Sequence, residues 1–199
     1  MTTKERILAL LEENKDAYVS SSLLTKEAGI SRTAVWKAVC ELREEGYPID
    51  SQPRKGYRLS AGSDRISLQG IAVYLKDKSL LDKAAVFNEL PSTNMLAKLN
   101  VVSGMTDKTV IIARRQTKGA GHGGEAYTSP EGGIYLSLIR EPRRGEARLT
   151  AADIGRKTLA VIAAETQKET RLDEATNRIY IGKKKVCGIL TETIADLET

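Results

Sequence analysis

SRTAVWKAVCELREEGYPIDSQPRKGYRLS, residues 31–60, is the stretch that decides the fold of the first part of this 199-residue chain. Ser31 is a natural N-cap, so a helix is expected to begin directly after it and to end at Gly46. The buried face of this helix is marked by apolar residues at the i, i+4 and i+7 spacing. These residues are Val35, Val39 and Leu42.

Two short extended runs follow Pro48 and flank the turn residues 53–56, which predicts a β-hairpin. Upstream, Thr2 and Glu5 have the spacing of a capping box and predict a helix over 3–14. Residues 22–28 predict a second, short helix that is stopped by Gly29. Three short helices followed by a hairpin indicate a winged helix-turn-helix.

The exposed side chains of the third helix and of the hairpin suit contacts with DNA. Residues 1–60 contain ten Lys and Arg against nine Asp and Glu, so placement rather than net charge must supply the positive surface. Arg58 adds charge to the hairpin, or wing. The predicted DNA-contacting residues are Ser31, Arg32, Thr33, Trp36, Lys37, Arg54 and Lys55. The alternatives are a three-helix domain that binds only protein and, for Trp36, a packing role.

Composition and charge indicate a globular protein, with 41% hydrophobic residues and a net charge of +5. Cys40 and Cys187 lie far apart, so no metal site is expected. No signal peptide or apolar run of about 20 residues is visible, which favours a cytoplasmic protein without a membrane span.

The small polar residues 60–66 predict a domain boundary. We place the DNA-binding domain at 1–62, a linker at 63–66 and a second domain at 67–199. Helices are expected at 67–76, 93–100 (capped by Ser92) and 149–167, and a Gly-rich loop at 117–126. Strands are expected at 84–90, 109–113, 133–139, 178–182 and 186–192, the last two as a hairpin. This order predicts an α+β domain built on a largely antiparallel sheet.

Residues 31–59 closely resemble the DNA-binding domain of biotin operon repressors, whose pattern is SRTAVWK…LREEGY…(K/R)GYRL. The second domain resembles biotin protein ligases. ELPSTN (89–94) is similar to their biotin-contacting segment, and YTSPEGGIYLSL (127–138) to their (W)xSPxGGLYxS strand. Gln116 with TKGAGHGG occupies the place of their QT-x-GRGRxGR loop. KKVCGILTE (184–192) matches the strand of their active-site lysine, which falls on Lys185.

The resemblance implies a catalytic domain related to class II aminoacyl-tRNA synthetases, incomplete here because the chain stops at Thr199. It implies biotin as ligand, with ATP if ligase activity persists. The family activates biotin to biotinyl-AMP and passes biotin to a carboxylase carrier domain. Its biotinyl-AMP complex drives dimerisation on operator DNA, so a homodimer is expected. The implied catalytic residue is Lys185. The implied ligand-binding residues are Ser92, Thr93, Asn94, Gln116, Gly119, Ala120, Gly121, His122, Lys185 and Gly188.

The sequence departs from the family where the nucleotide is expected to bind. Residues 119–125 read GAGHGGE in place of GRGRxGR, so Ala120, His122 and Glu125 occupy arginine positions. The family's KW-x-ND becomes EATNR at 174–178, which keeps only the Asn. Since arginines stabilise charge developing on the α-phosphate, these changes predict weak or lost adenylation.

Three functions remain open on the sequence. The favoured one is a biotin-responsive transcriptional repressor of biotin genes whose ligase activity is weak or lost. The second is a bifunctional biotin ligase and repressor, and the third is a DNA-binding remnant that does not respond to ligand.

Overall fold

The computed structural model describes residues 1–104, 107–142 and 149–194. The chain opens with three helices, α1 (Thr3–Glu13), α2 (Ser21–Ala28) and α3 (Arg32–Glu44). An antiparallel hairpin of β1 (Ile49–Gln52) and β2 (Gly56–Leu59) follows. This order confirms the predicted winged helix-turn-helix.

The local signals in the sequence start and stop these helices as expected. Thr2 and Glu5 form a complete capping box, and Ser31 Oγ accepts a hydrogen bond from the amide of Ala34. Gly29 ends α2 in the left-handed conformation. The helices bury one continuous apolar core, in which each large side chain contributes about 1.5–3 kcal/mol. Its fully buried members include Ile7, Leu11, Leu24, Val35, Val39, Leu42 and Leu59.

The wing is attached to the helices through the segment between α1 and α2. Val19 and Tyr57 exchange backbone hydrogen bonds of 2.8 and 2.9 Å. The neighbouring Gly56 has φ +103°, and a Cβ there would lie 2.0 Å from the carbonyl oxygen of Val19. Only glycine fits this approach, so the wing is held at a fixed position beside the helices.

The second part begins with α4 (Leu68–Tyr74) and a 3-10 helix at Lys78–Lys83. Its first sheet consists of β3 (Ala84–Phe87), β4 (Val110–Ala113) and β5 (Tyr135–Leu138), with β3 parallel and β5 antiparallel to β4. Helix α5 (Thr93–Val102) packs on β4 and β5. Ser92 caps α5, as the sequence predicts.

The remaining elements form a second, separate layer. Helix α6 (Ala151–Thr166) packs on an antiparallel sheet of β6 (Thr170–Asp173), β7 (Arg178–Ile181) and β8 (Lys184–Gly188). Gly155 of α6 allows the close approach, because a Cβ there would lie 3.0 Å from Leu172. The α+β architecture is thus confirmed, although the strands divide into two three-stranded sheets.

Three sequence predictions in this part need correction. The strand expected over 84–90 ends at Phe87, because pairing breaks at residues 88–89 before Leu90 donates to the carbonyl of Arg115 at 3.2 Å. The last strand runs from Lys184 to Gly188 rather than over 186–192, since Ile181 pairs with Lys184 across a two-residue turn. Strand β6 was not predicted at all, because TRLD alternates only one strongly apolar residue with charged ones.

The domain limits at 62, 66 and 67 stay predictions. The last residues of the predicted second domain, 195–199, lie outside the described residues. Within the described residues, the edge strands of the two three-stranded sheets are β3, β5, β6 and β8.

Candidate DNA-binding surface and ligand site

The first turns of α3 carry an exposed polar surface. Arg32, Thr33 and Lys37 are all exposed, and Trp36 is 58% exposed. Trp36 therefore lies outside the buried core, and its two interpretations, a partly buried packing residue and a DNA contact, both stay predictions. Ser31 is also exposed, but its hydroxyl is already used as the N-cap. The surface presents cationic, hydroxyl and aromatic groups together at the helix end that enters a DNA groove in this motif.

Helix and wing meet in an open cleft. Its lining includes Arg32 from α3 and Arg54 from the wing, together with Ser20, Ser21 and Gln52. Arg54 and Lys55 are exposed at the tip of the wing. The structure therefore brings the two groups of predicted DNA-contacting residues to one surface, where two guanidinium groups and several hydroxyls could meet phosphate oxygens.

Arg58 is already paired with acidic side chains, although the sequence suggests that its charge is available to DNA. Its guanidinium donates to Asp50 at 2.8 Å, lies 3.7 Å from Asp16 and stands 5.1 Å from the ring centre of Tyr18. The hydrogen bond to Asp50 is the main cause that raises the pKa of Arg58. Arg58 thus braces the wing internally, and its charge is balanced before any phosphate arrives.

The second domain contains a hydrogen-bonded network centred on Gln116. The side-chain Oε1 of Gln116 accepts from the backbone amide of Thr93 at 2.8 Å and from its hydroxyl at 3.1 Å. The amide Nε2 donates to Ser129 Oγ at 2.9 Å. Two sequence-predicted site residues from distant segments are therefore joined directly, at the N-terminus of α5.

Ser129 and Ser137 belong to this network, although neither is among the site residues predicted from the sequence. Ser137 lies on β5, and its hydroxyl donates to the Thr93 hydroxyl at 2.9 Å and also contacts Asn94 Oδ1. Both serines are buried. A polar residue on the inward side of the apolar strand YLSL is the sequence signal that identifies Ser137, because a buried hydroxyl needs partners.

Lys185 approaches the network through Tyr127. Its Nζ lies 4.9 Å from the ring centre of Tyr127, whose carbonyl accepts from Ser129 Oγ at 3.0 Å. Burial raises the pKa of Tyr127 above its ordinary value of 10.0, and the neutral ring can face the ammonium group. A Cβ at Gly188 would lie 3.4 Å from Lys185 Nζ and 3.5 Å from this ring. A continuous series of contacts thus links Asn94 to Lys185.

The Gly-rich loop closes into a small hairpin beside this network. Tyr127 donates to the carbonyl of Gly119 at 2.8 Å, and Gly121 donates to that of Glu125 at 2.7 Å. Ala120 and His122 are exposed. Of the predicted ligand residues, Gly119 is packed against the network, whereas Ala120, Gly121 and His122 line only the loop.

The second divergent motif forms the turn between β6 and β7. Asp173 accepts hydrogen bonds from the amides of Ala175 and Thr176 at 3.1 and 3.4 Å, and Glu174 pairs with Arg156 of α6. Residues 174–178 therefore serve local structure in the described contacts. The part of the chain that the structure describes contains no cluster of three or more metal-ligating side chains and no helix long and apolar enough to cross a membrane.

These features define a class of protein, a winged helix-turn-helix joined to an α+β domain that contains a buried polar network. A helix-turn-helix family model, described as HTH domain, matches residues 3–58, and the model of the biotin/lipoate A/B protein ligase family matches residues 86–198. The chain belongs to the biotin/lipoate A/B protein ligase family. The match confirms the resemblance found in the sequence.

Curated relatives contain both parts. The chain is 30% identical over 197 residues to the bifunctional ligase/repressor BirA of Bacillus subtilis, covering 98% of this chain and 61% of that protein. It is 26% identical to the BirA of Escherichia coli, covering 96% of this chain and 58% of that protein. Among solved structures, the Aquifex aeolicus biotin protein ligase in complex with biotin and ATP matches at 30% identity with a TM-score of 0.48, covering 56% of this chain and 47% of that one. The chain thus spans about three fifths of the curated relatives' length.

Proposed function

We propose that this chain is a DNA-binding transcriptional repressor whose second domain, residues 67–199, binds biotin or biotinyl-AMP, with weak or lost ligase activity. The observation that carries the proposal is a contrast between the two parts. The groups suited to DNA are exposed together on α3 and the wing, whereas the loop at 119–125 has no arginine.

The biotin end of the site is supported by the network around Gln116. Biotin presents a cyclic urea, which needs both donors and acceptors in a confined place. Thr93, Ser137 and Asn94 supply hydroxyl and amide groups at the N-terminus of α5, and Gln116 and Ser129 hold them in position. Such preorganised polar groups favour a small polar ligand, because little entropy is lost when it binds.

The nucleotide end of the site lacks the cationic side chains that adenylation needs. Adenylation brings a carboxylate against the α-phosphate, and fixed cations must stabilise the charge that develops there. Each charge-assisted contact that is lost costs about 1.5–3 kcal/mol. At about tenfold per 1.36 kcal/mol, losing the arginines at positions 120 and 122 would slow activation by about two to four orders of magnitude. The acidic Glu125 adds repulsion.

A bifunctional biotin ligase and repressor is the second candidate, and the position of Lys185 favours it. Its Nζ stands over Tyr127, which is linked through Ser129 to Gln116. Lys185 could therefore contact the carboxylate end of a ligand whose ring system lies at Thr93. In this case ATP would be a second ligand and a carboxylase carrier domain a protein partner.

DNA binding tests the first part of the proposal. A duplex selected from a random library by the full chain is titrated with and without biotin, and with biotinyl-AMP, using fluorescence anisotropy. We expect binding that weakens with salt and that responds to one of the ligands. Replacing Arg32 and Lys37 by Ala should abolish specific binding, whereas replacing the exposed Lys76 outside the first domain should not. No binding in any state would refute the proposal, and binding without any ligand response would leave only the ligand-blind remnant.

Biotin transfer separates the two candidates. The chain is incubated with ATP, biotin and a biotin carrier domain, and acceptor mass is followed beside the Ala120→Arg/His122→Arg double variant. We expect little transfer by the natural sequence and a gain of at least tenfold in the variant. A Thr117→Arg/Thr128→Arg variant, which adds the same charge at two exposed residues on either side of the loop, is the matched control. Rapid transfer by the natural sequence would favour the bifunctional enzyme.

We also propose a homodimer on DNA, since a two-fold protein suits a two-fold operator. Sedimentation with and without ligand measures it.

A further inference from the structure

Arg114 of the second part reaches into the first part. Its Nε and Nη2 donate to the carbonyl of Ile66 at 3.1 and 2.6 Å, and Nη2 also lies 3.2 Å from the hydroxyl of Tyr47. Nη1 donates to Asn88 Oδ1 at 2.9 Å. The guanidinium stands 5.9 Å from the ring centre of Tyr47. One planar cation therefore holds a strand end, the linker and the winged domain together.

Arg65 makes the reciprocal connection from the linker. Its Nη1 forms an ion pair with Glu131 at 3.0 Å, and its Nη2 donates to the backbone carbonyl of Glu45. The guanidinium is packed over Gly46, where a Cβ would lie 3.3 Å away. Arg65 thus joins the segment after Ser129 to the end of α3.

Both arginine contacts lie close to the end of α3 in the winged domain and close to the polar network in the second domain. Tyr47 and Glu45 terminate the helix that carries the DNA surface, and the Tyr47 amide donates to the carbonyl of Leu42 at 3.0 Å. On the other side, Arg114 lies two residues before Gln116, and Glu131 lies two residues after Ser129. Gln116 and Ser129 are bonded to each other in the polar network.

We infer that Arg65 and Arg114 couple occupancy of the polar network to the position of α3, so that the ligand acts on DNA binding through these two side chains. The inference rests on the proposed function. Gln116 and Ser129 are already hydrogen-bonded to each other, so a ligand that competes for these bonds shifts the backbone two residues away, at both arginine contacts. Because Tyr47 is buried in the helical core and only 4% exposed, that movement is passed to the whole winged domain rather than absorbed locally.

A thermodynamic cycle tests the coupling. The affinity for a library-selected duplex is measured by anisotropy with and without saturating biotin, and the ratio of the two dissociation constants is the coupling factor. We expect a factor of about 5 or more in the natural chain, the lower end of ordinary allosteric coupling. In the Arg65→Ala/Arg114→Ala variant it should fall below about 2. Biotin affinity and DNA affinity without biotin should each stay within about threefold, because neither arginine belongs to either site.

Arg115→Ala is the matched control. Arg115 adjoins Arg114 but pairs only with Glu89 in the described contacts, at 3.1 Å, and both side chains are more than half exposed. Its loss should leave the coupling factor unchanged. Tyr47→Phe removes the hydroxyl alone and should lower the factor partly, which keeps the test valid if the double variant does not fold.

The outcomes distinguish the inference from the proposed function. If the natural chain binds no biotin or no duplex, the proposed function fails and the inference falls with it. If it binds both with a coupling factor near 1, the inference fails, and the proposed function keeps its DNA binding and biotin binding but loses the response of DNA binding to biotin. An unchanged factor in the double variant, or an equal fall in Arg115→Ala, also overturns it. If the two arginines had a purely structural role, the double variant would bind both biotin and DNA more weakly. Its coupling factor would be unchanged.

Discussion

Gly119 gives the most direct test of the polar network, because the neighbouring atoms leave no room for a side chain at this position. A Cβ built on Gly119 would lie 2.4 Å from the carbonyl oxygen of Tyr127 and 2.6 Å from Ser129 Oγ. Real Cβ atoms essentially never approach other atoms closer than 3.0 Å, so Gly119→Ala requires a shift of at least about 0.6 Å in the carbonyl of Tyr127. The backbone hydrogen bond from Tyr127 to Gly119, 2.8 Å long, is the first that such a shift breaks.

The expected cost follows from these contacts. Overpacking a close-packed site typically costs about 1–3 kcal/mol, and a lost hydrogen bond adds about 1 kcal/mol. We therefore expect Gly119→Ala to destabilise the second domain by about 2–4 kcal/mol, equivalent to a Tm lower by about 4–16 °C. Biotin binding should weaken as well, because Gln116 and Ser129 lose their fixed positions.

Gly121→Ala provides the control in the same loop. Gly121 has φ −99°, and a Cβ there would meet only the carbonyl of Glu125 at 3.6 Å, an ordinary contact. This variant should change stability by less than about 1 kcal/mol. Thermal unfolding by circular dichroism and biotin titration by calorimetry measure both variants. Equal effects of the two substitutions would refute the packing around Gly119.

Three further predictions concern charged groups. Arg54→Ala should weaken binding to all duplexes alike, and in titrations at several salt concentrations it should reduce the slope of log affinity against log salt by about 1. Arg58→Ala should mainly lower the Tm of the winged domain. A lower Tm in Arg54→Ala and a smaller salt slope in Arg58→Ala would contradict the geometry. Burial raises the pKa of Glu12 above its usual 4.5, so its ionisation disfavours folding as the pH rises. Glu12→Gln should therefore have a higher Tm than the natural chain at pH 7, and the difference should disappear towards pH 4.5. A lower Tm of the variant at pH 7 would show that the ionised Glu12 does not destabilise the fold. Hydrogen bonds from Thr150 lower the pKa of Asp153 from 3.8 to about 2, so its stabilising effect is present above 3.8 and is lost as the pH falls through 2. The Tm difference between the natural chain and Asp153→Asn should narrow over that interval, and a constant difference would argue against the cap.

The winged helix-turn-helix was predictable because each of its signals is local. Ser31 caps α3 through an amide three residues away, and Gly29 ends α2 through its own φ of +66°. Helical spacing then identifies the buried face without knowledge of other segments. Strand β6 was missed because its place depends on α6 and β7, which pack against it, and its four residues carry little pattern of their own.

The sequence by itself determined the helices, their caps, the wing and the segments that resemble a biotin site, since these depend on residue type and short spacing. Only the tertiary structure decided which side chains meet. It joined Thr93 to Gln116 and Ser129, added Ser137, and placed Lys185 over Tyr127. It also balanced Arg58 with Asp50 and set Arg114 against Tyr47. Contacts between residues far apart in the chain depend on how sheets and helices pack, and no local spacing records that.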